Sequence, residues 1–313
     1  MNESIAAAEP SIAETPSFRA APSRCPLCGA SGAVSTAGFR QIYPQHQSSA
    51  ILLDWWECRA CAGWFVAPVP SQEAIARYWP TVVWQSSALK DDVADSKRQL
   101  YRNVVSYLTR HLGTGRLLDI GSNFGGFLGE ARSSGWDAVG LEPNQEAVAF
   151  SRAQGFEIHE GWSLQPLLEA QQRFDAIVAI DVFCYSHNPL EDLAAYAALL
   201  RNGGVLAMRL TNKRRLLGWA RRLVPRGAKR DALLSRGLQA QFHAIELAPL
   251  QKILREIGFT ASKVVPGART GSWGDYSLSG RACYLAAHGL RAITLGRINV
   301  SPGVLLFAHK GDA

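Results

Sequence analysis

The chain has 313 residues, of which 47% are apolar and 19% charged, and it carries a formal net charge of +7. This composition excludes a fibrous or wholly disordered protein and is enough for one large domain plus a small one. The basic balance favours anionic partners such as nucleotides, phosphorylated substrates, RNA or an acidic membrane surface without choosing among them, and no apolar run reaches the roughly 18 residues of a membrane span.

Residues 1–22, rich in Ala, Pro, Ser and Glu, read as a solvated tail. They have no basic start followed by an apolar block, so no secretory signal is expected and a cytoplasmic location is. Four of the six cysteines then fall in two pairs, "CPLC" (Cys25, Cys28) and "CRAC" (Cys58, Cys61). Two such knuckles can present four thiolates to one tetrahedral Zn²⁺ at about 2.3 Å, and a full set of thiolates makes the ion structural rather than catalytic. Two disulfides are disfavoured without secretion, and four unrelated thiols are disfavoured by the paired spacing. Gly29 after the first pair and Ala62 and Gly63 after the second suit knuckle turns. Cys184 and Cys283 stand apart and read as packed thiols.

Residues 23–70 have the character of a metal ribbon, with strands in "QIYP", "ILLDWWE" and "GWFVAPVP". A core this small needs a staple, which the metal supplies. Linking helices follow over 71–112: "SQEAIARYW" with Ser71 as N-cap, and "SKRQLYRNVVSYLTRHL" over 96–112, stopped by Gly113. From 113 to 313, apolar strands alternate with helical stretches. "RLLDI", "DAVGLE", "FEIHEG", "FDAIVAI" and "GVLAMRL" are five strands, and "ASKVVPG" and "GVLLFAHK" flank a helical segment at about 277–296. The alternation predicts an α/β class, a doubly wound, mostly parallel sheet.

In such a sheet, ligands sit beyond the carboxyl ends of the strands, near the switch point. "LLDIGSNFGGFL", residues 117–128, occupies that position. Gly121 and Gly125 allow close backbone approach, and Glu142 ends the next strand, where a carboxylate can accept both hydroxyls of a ribose. A dinucleotide site wants a glycine where Asn123 stands, and Asp119 is a poor neighbour for phosphates but a good one for a cation. The cofactor expected is therefore S-adenosylmethionine rather than NAD.

On these motifs the sequence resembles class I S-adenosylmethionine-dependent methyltransferases, of the kind with an N-terminal zinc ribbon found in sugar, polysaccharide and natural-product pathways. "LLDIGSNFGGFL" is similar to the family's first motif. "FDAIVAIDVFCYSHNPLEDL" is similar to its fourth-strand segment, "LLRNGGVLAMRL" to its turn into the fifth strand, and "LAPLQKILREIGF" to the helix before the last strands. The resemblance implies seven strands with an antiparallel last one. It places Asp119, Gly121, Ser122, Asn123 and Gly125 along the methionine part of the cofactor, with Asp181 close by. Glu142 would hold the ribose, and Trp162 and Ser163 the adenine. Cys184 and Tyr185 stand where the family often has His and Glu, and Asn202 where it has Pro.

Methyl transfer is an in-line displacement, so positioning supplies much of the rate, and a base serves oxygen or carbon acceptors. Tyr185, His187 and His243 are the candidates, each equally readable as a surface or packing residue. Asp181 and Cys184 have the D-x-x-C spacing of RNA cytosine methyltransferases, but Phe183 replaces the usual proline. Residues 213–230 carry eight basic side chains interspersed with Leu216, Leu217, Trp219, Ala220 and Leu223. That pattern reads as an amphipathic lid, as a phosphate-binding arm or as a peripheral contact with an anionic membrane. The expected substrate is a small, anionic sugar or natural-product intermediate. An RNA methyltransferase, a non-catalytic binding protein with this fold and an NAD oxidoreductase are the alternatives.

Overall fold

The structure is a computed structural model that describes residues 20–43, 51–72, 88–238, 241–267, 285–287, 289–290, 292–294 and 301–312. The tail up to residue 19, the first linking helix beyond Gln72, Cys283 and most of 277–296 lie outside the described residues. The described positions between 285 and 293 are helical.

The larger sheet has seven strands: β4 (Arg116–Ile120), β5 (Asp137–Glu142), β6 (Glu157–Glu160), β7 (Phe174–Ile180), β8 (Leu200–Thr211), β10 (Phe259–Pro266) and β11 (Gly303–Lys310). Their order is β10-β11-β8-β7-β4-β5-β6, so the direction of winding reverses between β4 and β7. The five strands β4 to β8 run parallel, while β11 inserts antiparallel between β8 and β10. Helices cover both faces, which is why β7 is apolar at every position but Asp175. Ala176, Val178 and Ile180 join one core with Leu100, Val104 and Leu108 of α1 (Ala88–Leu112), spaced four apart along that helix. The alternate residues Ile177 and Ala179 join the opposite core with Leu193, Tyr196, Leu250 and Leu254. Helix α1 starts eight residues earlier than its apolar spacing alone suggests and ends at Gly113, whose φ of 75° turns the chain out.

The second sheet is the ribbon. β1 (Val34–Tyr43), β2 (Ile51–Cys58) and β3 (Trp64–Val66) form an antiparallel meander. Its fourth strand, β9 (His243–Ala244), comes from far down the chain and pairs with Trp64 and Phe65. Two helices from the basic segment, α6 (Arg214–Leu223) and α7 (Ala228–Leu238), pack Leu217, Leu234 and Leu238 against Phe39, Trp55 and Trp64 of the ribbon. Along the contact, Arg214 and Arg221 each bond Glu57 at 2.6 Å, and the Arg214 guanidinium lies 3.9 Å from the centre of the Trp64 ring. A register shift in β1 around Gly38 frees two carbonyls, which accept from Arg221 (Ala37 O, 2.9 Å) and Arg230 (Gly38 O, 2.8 Å). The basic segment is thus docked on the ribbon.

Candidate functional site

The site begins where β4 ends. Gly121 has φ 71°, and a Cβ there would lie 2.4 Å from Val182, so only glycine fits beside the end of β7. Gly121 N–H and Ser122 N–H both donate to Leu141 O, fastening the turn to β5, and Asn123 follows at φ 53°. Gly125, at φ 79°, caps helix α2 (Gly126–Ser133).

Glu142, at the end of β5, organises this turn. One carboxylate oxygen accepts from Asn123 N–H (2.8 Å), the other from Asn144 N–H (2.9 Å), and each retains a lone pair. Burial raises its pKa against these two bonds. Asp119 is 3% exposed and, among the described residues, receives no hydrogen bond. Burial first and the Glu142 charge second push it well above the ordinary carboxylate range, with Lys97 opposing. Ser122 Oγ is likewise buried without a partner. A pair of desolvated acids beside unpartnered polar atoms is costly unless a cation with hydroxyl donors completes it. These residues therefore fit a positively charged nucleoside cofactor: Glu142 to accept from the ribose, Asp119 to face the cation.

Asp181, beyond β7, also has a left-handed backbone (φ 61°). Burial raises its pKa, but Lys97 at 3.1 Å and a short bond from Arg209 outweigh that and hold it ionised. A cavity of about 910 Å³ runs from this acidic end to Tyr185, Ser186 and His187 on the short helical turn after β7. His187 Nε2 lies 2.9 Å from Pro70 O. A carbonyl only accepts, so Nε2 carries a proton in this contact, and in the neutral ring Nδ1 holds the lone pair.

Of the residues expected from sequence, Asp119, Gly121, Ser122, Asn123, Glu142, Trp162, Asp181, Tyr185 and His187 all line this cavity. Three do not. Gly125 shapes the turn from behind, and Ser163 Oγ accepts from Gln165 N–H at the start of α4 (Gln165–Glu169). His243 is buried in β9, edge-on to Phe183, and desolvation lowers its pKa to about 4. It sits there as a neutral packing group against Phe183, which lines the cavity, and does not itself line it. Cys184 is also packed: its thiol donates to Asp181 O at 3.7 Å, and burial raises its pKa. The described residues lining the cavity include none from 213–230.

Lys97 and Tyr101 were missed. They are one turn apart on α1 and reach the cavity because that helix packs over the switch point. Their spacing is visible in "SKRQLYRN", but nothing local separates it from a solvated helix face.

In the ribbon, the four cysteine sulfurs lie within 4.8 Å of one another, with Cys25–Cys61 at 3.9 Å and Cys28–Cys58 at 3.7 Å. Thiolates about 2.3 Å from a tetrahedral ion stand about 3.8 Å apart, so the spacing fits such an ion. The left-handed residue of the second knuckle is Ala62 (φ 53°). Gly63 is needed for a different reason: a Cβ there would lie 2.4 Å from Leu27.

No helix among the described residues is long and apolar enough to cross a membrane. No curated protein matches the sequence. Among solved structures, a SAM-dependent methyltransferase from Archaeoglobus fulgidus is similar over 68% of this chain and 94% of its own, at 16% identity and a TM-score of 0.46. The plantazolicin methyltransferase BpumL, in complex with SAH, is similar over 76% and 95%, at 17% identity and a TM-score of 0.48. A possible histamine N-methyltransferase from Thermotoga maritima is similar over 72% and 96%, at 15% identity and a TM-score of 0.46. The family model described as "Methyltransferase domain" matches residues 94–261, more than half of the chain and the stretch that carries the cavity. The chain belongs to that family and is an S-adenosylmethionine-dependent methyltransferase.

Proposed function

We propose that this enzyme methylates a small hydroxylated acceptor, a sugar or a natural-product intermediate, with a structural zinc holding the ribbon (residues 23–70) against the transferase domain (113–313) through the linking segment 71–112. The observation that carries the acceptor reading is the single cavity joining the Glu142 turn to Tyr185, Ser186 and His187. Its volume is near the top of the range of about 300–1,000 Å³ for small-molecule sites, which leaves space for an acceptor beside the cofactor.

S-adenosylmethionine supplies the electrophilic methyl group when bound. The chain supplies position and a proton acceptor. Glu142 and Asp119 hold the cofactor end, and the ion pairs of Asp181 with Lys97 and Arg209 brace the wall between the two ends. His187 is the group we assign to take the acceptor's proton, since the Pro70 carbonyl fixes its tautomer and leaves Nδ1 basic. Among the described residues, the lining has five carboxylates, Asp119, Glu142, Glu146, Asp181 and Asp192, against one lysine. That balance supports a neutral, hydroxyl-rich acceptor over the anionic one expected from net charge. It also weighs against RNA, as does the engagement of Arg214, Arg221 and Arg230 with the ribbon.

The test is incubation with S-adenosylmethionine and a panel of free, nucleotide-linked and lipid-linked sugars, read by mass spectrometry for a gain of one methylene. Methylation of an RNA oligonucleotide with none of the sugars would reverse the assignment.

A further inference from the structure

Helix α6 turns Leu217 and two of its four arginines onto the ribbon and leaves three large apolar side chains in water. Arg214 and Arg221 lie against Glu57 and Trp64, with the two side chains 8% and 17% exposed. The apolar side chains facing water are Leu216, 62% exposed, Trp219, 64%, and Leu223, 81%. These three are spaced i, i+3 and i+7 and so form one stripe. Exposures this high describe side chains standing proud of the surface rather than walls of a groove. The stripe is rimmed by exposed cations, Arg215 and Arg222 on the same helix, Arg226 in the turn after it and Lys229 at the start of α7. Arg215 also reaches Glu246, at 2.9 Å, and stays 75% exposed.

We propose that this face docks the enzyme on an anionic lipid bilayer, with Trp219, Leu216 and Leu223 in the headgroup–acyl boundary and Arg222, Arg226 and Lys229 on lipid phosphates. A protruding Trp/Leu stripe bordered by arginines matches the two phases of that boundary, apolar below and anionic above. Charge selects the bilayer over a second copy of this chain. Two-fold pairing through the stripe would bring its cationic rim against an identical one in a protein of net charge +7, whereas anionic headgroups neutralise it. The ribbon fixes the orientation, because the arginines that would otherwise face solvent are bonded to Glu57, Ala37 O and Gly38 O. The proposal does not depend on which acceptor is methylated.

The test is co-sedimentation of the full chain with vesicles of phosphatidylcholine, with and without phosphatidylglycerol. Two variants accompany it, Trp219→Ser/Leu223→Ser and Arg222→Glu/Arg226→Glu. All four positions are exposed, so unfolding temperatures should match the parent. The parent should partition onto phosphatidylglycerol vesicles at least about tenfold better than onto phosphatidylcholine alone, as several cations near an anionic surface imply. Each variant should lose about tenfold. The proposal is overturned if the parent does not partition or if the Trp219→Ser/Leu223→Ser protein partitions equally well. It is also overturned if the parent sediments as a dimer that this variant returns to monomer, without vesicle binding.

Discussion

Replacing Glu142 probes both halves of the cofactor argument. Its carboxylate is 6% exposed and accepts from two backbone N–H groups that belong to different loops, Asn123 after β4 and Asn144 before α3 (Gln145–Ala153). Glu142→Ala strands both donors, at about 1–3 kcal/mol each where water does not reach them. It also removes the acceptors for the ribose hydroxyls, and hydrogen bonds to a charged group are worth about 1.5–3 kcal/mol each. The expected result is a protein less stable by about 2–6 kcal/mol whose affinity for S-adenosylhomocysteine, by isothermal titration, is down at least about 100-fold. Glu142→Gln should fall between, since its amide keeps one acceptor and sets an NH₂ against the other backbone donor. The 2′-deoxy cofactor should bind the parent about tenfold more weakly than the full ribose and show little difference on Glu142→Ala. Affinity within twofold of the parent for Glu142→Ala, or an equal deoxy penalty on both proteins, would refute this account of the site.

Other outcomes follow from the same geometry. Burial holds Asp119 and Glu142 above the ordinary carboxylate range, so the folded cofactor-free protein keeps protons that the unfolded chain sheds near pH 4, and their contribution to stability falls as pH rises through the folded values. A bound cation opposes this. Titration in buffers of different ionisation enthalpy should show S-adenosylmethionine releasing more protons than neutral S-adenosylhomocysteine, a difference absent in Asp119→Asn. His187→Asn should lower kcat by about 100-fold or more with cofactor affinity unchanged, whereas equal loss in both would make His187 a packing residue. Glu57→Gln leaves Arg214 and Arg221 without their shared carboxylate and should cost about 3 kcal/mol, on the order of 5–10 °C in Tm. Cys58→Ser should abolish bound zinc by elemental analysis and lower Tm by more than Glu57→Gln does, because closed zinc sites contribute on the order of 10 kcal/mol to folding in small ribbons.

Local features of the chain were legible because their causes are local. Period-two and unbroken apolar runs marked the strands, the glycine turn followed its own φ demands, and the paired cysteines carried their spacing with them. Glu142 could be read because its place is set by the strand it ends. Lys97 and Tyr101 could not, since only the packing of α1 over the switch point brings them to the cavity. His243 shows the reverse error: a titratable residue close in sequence to a substrate-bordering helix is recruited into a strand and buried. The sense of α6 was the hardest to read. "RRLLGWARRL" implies charges outward and leucines inward, whereas Arg214 and Arg221 turn inward beside Leu217 while Leu216 and Leu223 face water, an arrangement that depends on three partners elsewhere, the Glu57 carboxylate, the Trp64 ring and the Ala37 carbonyl.

The origin of β9 bears on how the molecule is made. As the chain leaves the ribosome the four cysteines can gather once residue 61 has emerged, but the outer edge of β3 finds its neighbour only when His243 and Ala244 appear, after most of the catalytic half has been synthesised. Until then the nascent ribbon carries an open strand edge beside Trp64 and Phe65, a template for pairing with other nascent chains. Closing that edge waits for residue 244, so the first-made sheet is finished only after the parallel strands have emerged, and before β10 and β11 have.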